Sequence, residues 1–445
     1  MAKYENNIGV LVPEILFPNQ GVDLTKWAVV ACDQYTSEPE YWQETEKIVG
    51  DAPSTLRLML PEMYLDKPGE AERIEDINSA MQEYMGKGIL QNIGEGFVLV
   101  RRTAEGKTRN GLVVALDLEN YSYEKGAQTL IRATEGTIVE RIPPRLRIRK
   151  DATLEMPHIL VLIDDPERTV IEPLLECADG IKKLYDFDLM QGGGHIEGYF
   201  VDDDALISKA LSALKALADP KRFAKSYGPD KAPMLFAMGD GNHSFATAKA
   251  NWERCKAQLS AEEAQNHPSR YCLVELENVH DQGIVFEPIH RVVFGLDTQR
   301  AVQYLKEKTA GQACEVFEFT CEAEYERALS GEERDGRHIL PFVTERGRGY
   351  FRVTRPSAQL EVGTLQNALD VMLNEISGCS IDYIHGEDVV TRLGSKPGNM
   401  GFTLPPMHKS ALFRTVVFDG ALPRKTFSMG EANEKRYYLE CRRIK

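Results

Sequence analysis

The chain has 445 residues, which is enough for two or three domains, or for one large domain with an appendage. Hydrophobic residues make up 42% and charged residues 27%, and this ordinary balance excludes a disordered, collagenous or coiled-coil chain. The net charge of -15 opposes a general attraction to nucleic acid, and no run approaches the ~20 apolar residues that cross a bilayer. We therefore expect a soluble cytoplasmic protein that binds neither nucleic acid nor membrane.

Sequence patterns typical of strands alternate with patterns typical of helices from the start of the chain. The first part predicts these elements: strands at Gly9–Leu16 and Trp27–Cys32, a helix from Glu40, a helix at Arg73–Met85, and paired strands at Phe97–Arg102 and Leu112–Leu118. The middle predicts these: a buried strand at Ile159–Ile163, a helix at Thr169–Leu184, a strand at His195–Val201, a helix capped by Asp202–Asp204, and a strand at Met234–Met238 followed by a helix after Asn242.

One dense basic run, Arg141–Lys150, alternates arginines with Ile142, Leu146 and Ile148. Alternation of this kind predicts a strand with one charged face. That face is either solvated and salt-bridged, or it binds an anion.

The rest of the chain indicates a second region. The strand at Gly283–Val293 is interrupted by Pro288, and beyond it helices and strands alternate up to a strand-rich tail at Gly378–Lys445. We predict an α+β fold with mixed sheets and flanking helices, divided into residues 1–294 and a C-terminal α/β region at 295–445.

The spacing of the cysteines and histidines indicates neither a disulfide scaffold nor a metal site. The eight cysteines are scattered without a Cys-x-x-Cys pair, and the nine histidines lack the close spacing of metal ligands. This pattern predicts reduced, packed thiols, and it gives no support to a disulfide scaffold or a zinc site.

The strongest candidate site is the turn Asp240–Ser244, between a predicted strand and a predicted helix. A helix that begins there would point free amides and its dipole at an anion, while Asn242 and Ser244 could donate hydrogen bonds. His243 could contact phosphate or carry a proton, and Asp240 could hold magnesium or accept a proton from a hydroxyl. The alternative is a tight turn in which Asn242 or Ser244 caps the helix.

Two further segments are weaker candidates. Gly192–His195 offers a flexible approach to a ligand, although three glycines commonly form only a loop. His290 and Arg291 lie at a strand end and could grip a carboxylate or phosphate, and the alternative for them is a surface ion pair.

The chain resembles the bacterial and archaeal family of unknown function DUF1015, whose fold is expected to be related to ParB and sulfiredoxin. That family usually carries Asp-Gly-His-His-Arg at a strand-to-helix turn, where this chain has Asp240–Ser244. Further stretches that match are Ala31–Tyr35, Ile131–Thr137, Leu162–Pro166, Pro288–Val293 and Leu404–Ser410.

The resemblance implies phosphoryl transfer or nucleotide hydrolysis, since ParB-like free serine kinases hold nucleotide phosphates on such a turn. It implies that His243 contacts phosphate, that Asp240 and Gly241 shape the turn, and that Arg132 and Glu135 line the facing wall. Magnesium would bridge phosphate oxygens of ATP or ADP, while a carboxylate orients the attacking hydroxyl.

The carboxylate that orients the hydroxyl is predicted to be Glu135 or Asp33. Asn242 and Ser244 replace the usual His and Arg, which removes one cation from the turn. Candidates to replace that cation are three basic residues elsewhere in the chain: Arg132, Arg291 and Lys409.

These expectations lead to two main hypotheses. The first is a phosphotransferase or phosphohydrolase that acts on a small hydroxyl metabolite such as serine or phosphoserine, with a homo-oligomer left open. The second is a non-catalytic ligand sensor or interaction protein that retains the pocket. DNA binding in the manner of ParB is disfavoured by the net charge.

Overall fold

The computed structural model describes residues 4–5, 7–124 and 126–445, and the chain divides into two compact units. The first unit contains the described residues up to Val285 together with the C-terminal segment Gly430–Lys445, and the second unit is Phe286–Met429. The predicted division between residues 294 and 295 falls inside the second unit. The last residues, which the sequence assigned to a C-terminal region, return to the first unit.

The first unit holds fourteen strands before residue 285 and nine helices among its described residues. Its strands are β1 Tyr4–Glu5, β2 Val10–Leu11, β3 Glu14–Pro18, β4 Val29–Val30, β5 Leu90–Glu95, β6 Phe97–Ala104, β7 Lys107–Asp117, β8 Ile131–Arg132, β9 Leu154–Glu155, β10 Leu160–Ile163, β11 Lys182–Asp188, β12 His195–Val201, β13 Phe236–Asp240 and β14 Tyr271–Asn278. Its helices are α1 Leu24–Trp27, α2 Pro39–Val49, α3 Glu70–Gly86, α4 Ile142–Arg149, α5 Glu172–Leu175, α6 Asp204–Leu217, α7 Pro220–Tyr227, α8 Asn242–Lys256 and α9 Ala261–Asn266.

A mixed sheet forms the centre of the first unit, with the strand order β11-β12-β6-β7-β14-β10-β13-β8. β10 runs parallel to β14 and β13 runs parallel to β8, whereas β10 and β13 are antiparallel. Alternate residues of β7 enter separate apolar clusters: Leu112 and Val114 belong to one, and Val113 and Ala115 to the other. Both faces of the sheet are therefore buried, which explains the nearly continuous apolar runs in its strands.

The second unit is built on a six-stranded sheet in which every paired strand is antiparallel. Its strands, with the pair β15 and β22 outside this sheet, are β15 Phe286–Pro288, β16 His290–Phe294, β17 Cys314–Phe319, β18 His338–Thr344, β19 Gly347–Val353, β20 Ser380–Ile384, β21 Asn399–Phe402 and β22 Phe427–Met429. Its helices are α10 Thr298–Lys308, α11 Glu322–Ser330, α12 Glu361–Glu375, α13 Glu387–Gly394 and α14 Ala411–Asp419. The two units together confirm the predicted α+β class, and a relation to ParB and sulfiredoxin stays a prediction.

The C-terminal segment contributes two short strands to the first unit, β23 Tyr437–Tyr438 and β24 Arg442–Arg443. β23 pairs with β4 and β24 pairs with β9, both antiparallel. The indole nitrogen of Trp27 donates to the carbonyl of Leu439 (3.0 Å) in the buried interior. This segment is therefore a structural part of the first unit.

A buried arginine ties the segment to the central sheet. Arg436 contacts Glu275 of β14 (2.6 Å) and Glu440 (2.5 Å), and each of these side chains is at most 1% exposed. Burial alone would lower the pKa of Arg436, but the two carboxylates raise it above its usual value. Tyr185 of β11 donates to the other oxygen of Glu440 (2.6 Å), so the charges have hydrogen-bonded partners.

Three predicted elements differ from the structure. The basic run Arg141–Lys150 is the helix α4 rather than a strand, because two prolines occupy its first turn, where no backbone N–H is needed. The predicted helix Thr169–Leu184 is reduced to α5, since the chain from Lys182 onward pairs with β12. The C-terminal tail is mixed, because it contains α13 and α14.

All eight cysteines are free thiols, but only Cys272 and Cys441 are buried, and Cys177 and Cys321 are exposed rather than packed as predicted. Within the part of the chain that the structure describes, no helix combines the length and the apolar character needed to cross a bilayer.

The buried arginine predicts a large stability effect. Arg436→Met would leave Glu275 and Glu440 buried without their cation, and we expect the free energy of unfolding to fall by about 3–5 kcal/mol. The three tryptophans, Trp27, Trp42 and Trp252, all lie in the first unit, so their fluorescence during urea unfolding reports on this unit. The matched control is Arg443→Met, because Arg443 is exposed and its loss should change stability by no more than about 0.5 kcal/mol. Equal losses in the two variants would contradict this assignment.

Candidate functional site

The turn Asp240–Ser244 joins β13 to α8, as the sequence predicts. Gly241 adopts a φ of +79°, and a Cβ at this position would lie 3.2 Å from the Cα of Ile159. Both the left-handed backbone and the close approach therefore require glycine. The chain can turn sharply here and start a helix directly beneath the end of the strand.

The first turn of α8 has free backbone donors. Phe245 makes the first intrahelical hydrogen bond, to the carbonyl of Gly241 (3.0 Å), and no side chain caps the helix. The amides of Asn242, His243 and Ser244 precede this bond, and the positive end of the dipole lies at the same place. The predicted alternative, in which Asn242 or Ser244 caps the helix, is not what the structure shows. The side-chain oxygen of Asn242 is instead buried without a hydrogen-bond partner.

Asp240 is held by the C-terminal segment. Lys435 contacts one carboxylate oxygen (3.0 Å), and the amide of Gly241 donates to the other (2.9 Å). Burial alone would raise the pKa of Asp240, but Lys435, the amide and nearby His158 lower it below its usual value. Asp240 is therefore a carboxylate at neutral pH.

The donor set does not fit the predicted magnesium ion at Asp240. Lys435 already supplies the positive charge at this carboxylate. Among the described residues, the groups of three metal-ligating side chains do not include Asp240. A protein-held magnesium site needs carboxylate oxygens that are open to the ion. The positive charge here comes from a lysine.

His243 is a neutral imidazole at the start of α8. Its Nε2 accepts a hydrogen bond from the amide of Ile138 (3.3 Å), which places the ring proton on Nδ1. Burial, together with the nearby charges of Arg141 and Arg145, lowers its pKa to about 4. Nδ1–H has no partner among the described residues and can donate to a bound group.

The basic run contributes to the site as the helix α4, which packs on α8. Arg145 pairs with Glu62 (2.5 Å), and Arg147 pairs with Asp66 and Glu70. Arg141 is exposed and makes no ion pair with any described residue. The predicted salt bridges are therefore present for Arg145 and Arg147 of α4. Arg141, just before the helix, is the arginine of the run that remains available to an anion.

A histidine that the sequence did not single out completes the turn. The Nε2 of His158 lies 2.8 Å from the Oγ of Ser244, and its Nδ1 lies 3.1 Å from the hydroxyl of Tyr438 in β23. His158 comes just before β10, and Leu160 of β10 is paired with Asp240. Antiparallel pairing of β10 with β13 therefore brings His158 beside the turn. Only knowledge that β10 pairs with β13 could have identified His158, and the apolar patterns of the separate strands do not reveal which strands pair.

Asp33 lies in a loop that contacts the same network. The amide of Cys32 donates to the hydroxyl of Tyr438 (3.2 Å), and Asp33 is the next residue. Asp33 is partly buried, and it accepts a hydrogen bond from the side chain of Gln34 (2.9 Å). The predicted base therefore follows the residue that contacts Tyr438, and Tyr438 in turn contacts His158.

Arg132 is the last residue of β8, the neighbour of β13, and Glu135 follows that strand. Arg132 is buried, and its guanidinium donates to the carbonyls of Thr129 (2.9 Å) and Ala232 (2.6 Å). Its hydrogen bonds therefore hold the backbone, and its role toward phosphate stays a prediction. Glu135 is partly buried and follows Thr134, whose hydroxyl donates to the carbonyl of Met238 in β13 (2.6 Å).

Three predicted residues lie in the second unit. Arg291 is fully buried, and its guanidinium donates to the side chain of Gln366 (3.2 Å) and the carbonyl of Arg424 (3.0 Å). It is therefore not the surface ion pair that the sequence offered as the alternative. The ring of His290 accepts from the amide of Leu404 (3.0 Å), and Lys409 precedes α14.

His195 belongs to a separate cluster in the first unit. Its ring nitrogens contact Asp188 (2.7 Å) and Asp186 (3.0 Å), which both lie in the edge strand β11 beside β12. Lys183 contacts Asp186 and Glu197 in the same cluster, so these two carboxylates have a cationic partner within the cluster.

A family model for proteins of unknown function, DUF1015, matches residues 16–372, which is more than half of the chain. The chain belongs to the DUF1015 family. No curated protein matches this DUF1015 chain.

Solved structures give only distant likenesses to this DUF1015 chain. A conserved hypothetical protein from Pyrococcus furiosus has 11% identity and a TM-score of 0.36, covering 74% of this chain and 95% of its own. A free serine kinase in complex with AMP has 12% identity and a TM-score of 0.37, covering 74% and 90%. SbnI with a C-terminal truncation, from Staphylococcus aureus, has 10% identity and a TM-score of 0.35, covering 72% and 83%. Likenesses of this strength carry no weight for the chemistry of the site.

The lowered pKa of His243 predicts a dependence of stability on pH. Its folded pKa is about 4 against an ordinary value of 6.5, so the unfolded chain takes up the proton first as the pH falls. The stability that depends on the neutral ring is complete above pH 6.5 and is lost as the pH falls toward about 4. We expect His243→Gln to lose less stability than the parent protein between about pH 7 and about pH 5, measured by tryptophan fluorescence.

The control for this measurement is His408→Gln, since His408 is exposed and lies in the second unit. It should lose as much stability over the same interval as the parent protein. An identical loss in the His243 variant would show that this ring does not stay neutral in the folded chain.

Proposed function

We propose that the chain binds the phosphate group of a nucleotide or phosphate ester at the first turn of α8 and transfers or hydrolyses it. The observation that carries this proposal is the uncapped start of α8, where three amides coincide with the positive end of the dipole and where the charge of Arg141 acts on His243. A helix N-terminus of this kind binds phosphate through its amides and through its positive end. The predicted substrate is a small hydroxyl metabolite of the serine or phosphoserine type.

The local charge supports an anionic ligand although the whole chain carries a net charge of -15. Arg141 has no ion pair among the described residues, and Lys435 lies beside Asp240 at the same turn. Neutral His243 can donate from Nδ1 without the repulsion that a second cation beside Arg141 and Arg145 would create. Arg141 is therefore the cation proposed here in place of Arg132, Arg291 or Lys409, the candidates that the sequence offered.

The chemistry proposed is positioning together with charge neutralisation. The amides of α8 and Arg141 would hold the phosphate oxygens, and a base near Tyr438 would orient the hydroxyl that attacks. Asp33 is the proposed carboxylate, with Glu135 as the second candidate. ATP or ADP is the proposed phosphate donor, and a ParB-like or sulfiredoxin-like ancestry remains part of this proposal. No step is assigned to a protein-bound magnesium ion.

The proposal predicts that Arg141 contributes to phosphate binding. We expect Arg141→Ala to weaken the binding of ATP, ADP or phosphoserine about tenfold or more, because a charge-assisted hydrogen bond contributes about 1.5–3 kcal/mol. The measurement is isothermal titration, supported by the shift in melting temperature that a bound ligand causes. Arg147→Ala is the matched control, since it removes the same charge from α4, the helix that Arg141 precedes, and Arg147 is already paired with Asp66 and Glu70.

Equal weakening in both arginine variants would indicate general electrostatics rather than a site at the turn. If no nucleotide or phosphorylated amino acid binds at millimolar concentration, the proposed function fails. Turnover is followed separately as the release of inorganic phosphate or product. Binding without turnover would instead support the non-catalytic sensor that the sequence also allowed.

A further inference from the structure

Ser244 and His158 have the geometry of a nucleophile and its base. The Oγ of Ser244 lies 2.8 Å from the Nε2 of His158, within the range over which a histidine removes a hydroxyl proton. A serine hydroxyl is a weak nucleophile unless such a base is in place. His158 lies two residues before β10, and the pairing of β10 with β13 brings it beside the turn that carries Ser244.

Tyr438 orients the histidine. Its hydroxyl lies 3.1 Å from the Nδ1 of His158, and its ring packs edge-on against the imidazole with centroids 5.5 Å apart. The amide of Cys32 donates to the same hydroxyl (3.2 Å), and Tyr438 also contacts the Cys32 thiol. When Nδ1–H donates to Tyr438, Nε2 is left as the acceptor for the Ser244 proton. A third group that fixes the tautomer of the base is the arrangement that activates a serine.

The surroundings of Oγ suit a phosphoryl group. Ser244 lies in the uncapped first turn of α8, whose amides can take negative charge. The charge of Arg141 acts on His243 in the same turn, whereas Lys435 is paired with Asp240. A phosphoserine at the start of a helix is stabilised by the dipole and by these donors.

We infer that Ser244 is a covalent phosphoryl acceptor, with His158 as its base and Tyr438 as the positioning residue of that base. This inference rests on the proposed function, and it adds that the phosphoryl group passes through the protein. It also distinguishes the roles of the turn: the amides of α8 bind the phosphate, and Ser244 reacts with it.

The reaction balances without a further co-reactant. The Oγ of Ser244 gives its proton to Nε2 of His158 and forms a bond to phosphorus, while the bond from phosphorus to the leaving oxygen breaks. His158 passes the proton to that oxygen, which departs as an alcohol when the donor is a phosphate ester and as the shortened nucleotide when the donor is ATP or ADP. Water then gives a proton to His158 and attacks phosphorus, and the bond from phosphorus to Oγ breaks. Oγ regains the proton from His158, and inorganic phosphate leaves.

Inorganic phosphate tests this inference without knowledge of the natural substrate, because the second half-reaction can run backward. The full-length protein is incubated with oxygen-isotope-labelled phosphate, and loss of the label to water is followed by mass spectrometry. We expect exchange by the parent protein, and a loss of at least about a hundredfold in Ser244→Ala and His158→Gln. Peptide mapping after an acid quench should place a phosphoryl group on Ser244.

Two variants separate chemistry from folding. Ser244→Thr keeps a hydroxyl and should recover part of the exchange that Ser244→Ala loses. Tyr438→Phe should slow the exchange while leaving the binding constant for inorganic phosphate unchanged, since only the orientation of His158 is affected. Phosphate binding measured by titration shows that each variant still forms the site.

Two results would overturn the inference. In one, Ser244→Ala exchanges as fast as the parent protein and no phosphoryl group is found on Ser244, which would mean that water attacks directly. In the other, the parent protein binds phosphate yet shows neither exchange nor a labelled peptide. A parent protein that binds neither phosphate nor nucleotide would defeat the proposed function itself, and titration distinguishes that outcome from the other two.

Discussion

The ion pairs of Arg436 hold the C-terminal segment in the first unit, and the candidate site depends on that segment. Arg436 lies between Glu275 of the central sheet and Glu440 of its own segment, with all three side chains excluded from solvent. The residue before it, Lys435, neutralises Asp240, and Tyr438 contacts His158. Buried charges of this kind cost desolvation energy, so they are weak evidence for stability in themselves. Here they set the position of the strand β23 that carries Tyr438.

Charge is distributed unevenly at the turn, and this distribution determines what can bind there. The carboxylate of Asp240 is matched by Lys435, so it offers no open site to a cation. His243 is held neutral by burial and by its arginine neighbours, and it therefore acts as a hydrogen-bond donor rather than as a cation. Arg141 is the positive group that has no internal partner among the described residues. An anion at the helix start would meet donors that need no rearrangement before it binds.

Local patterns predicted the parts of the site that lie in one stretch of chain. The turn Asp240–Ser244 joins a strand to a helix as its glycine and its flanking apolar runs indicate. The basic run was recognised as a candidate, but as a strand, because three arginines alternating with apolar residues fit a period of two as well as one helical turn. The partners of the turn could not be predicted, since His158 lies more than eighty residues before Ser244 and Tyr438 lies far beyond it. Long-range pairings of this sort depend on strand order, which a single sequence does not specify.

The sequence by itself determined the α+β class, the longer elements of the first unit such as β6, β7, α3, α6 and α8, and the place where chemistry is expected. These features follow from hydrophobic periodicity and from glycine in a strand-to-helix turn, which are local properties of the chain. Only the tertiary structure decided which side chains accompany the turn. It buried Arg291 in the second unit, where the guanidinium donates to Gln366 and to the carbonyl of Arg424. In the first unit it brought Lys435 to Asp240, and it brought His158 with Tyr438 to Ser244. The physical reason is that these contacts depend on antiparallel strand pairing and on buried ion pairs between segments that are distant in the chain. Such interactions stabilise the structure only once those segments have come together.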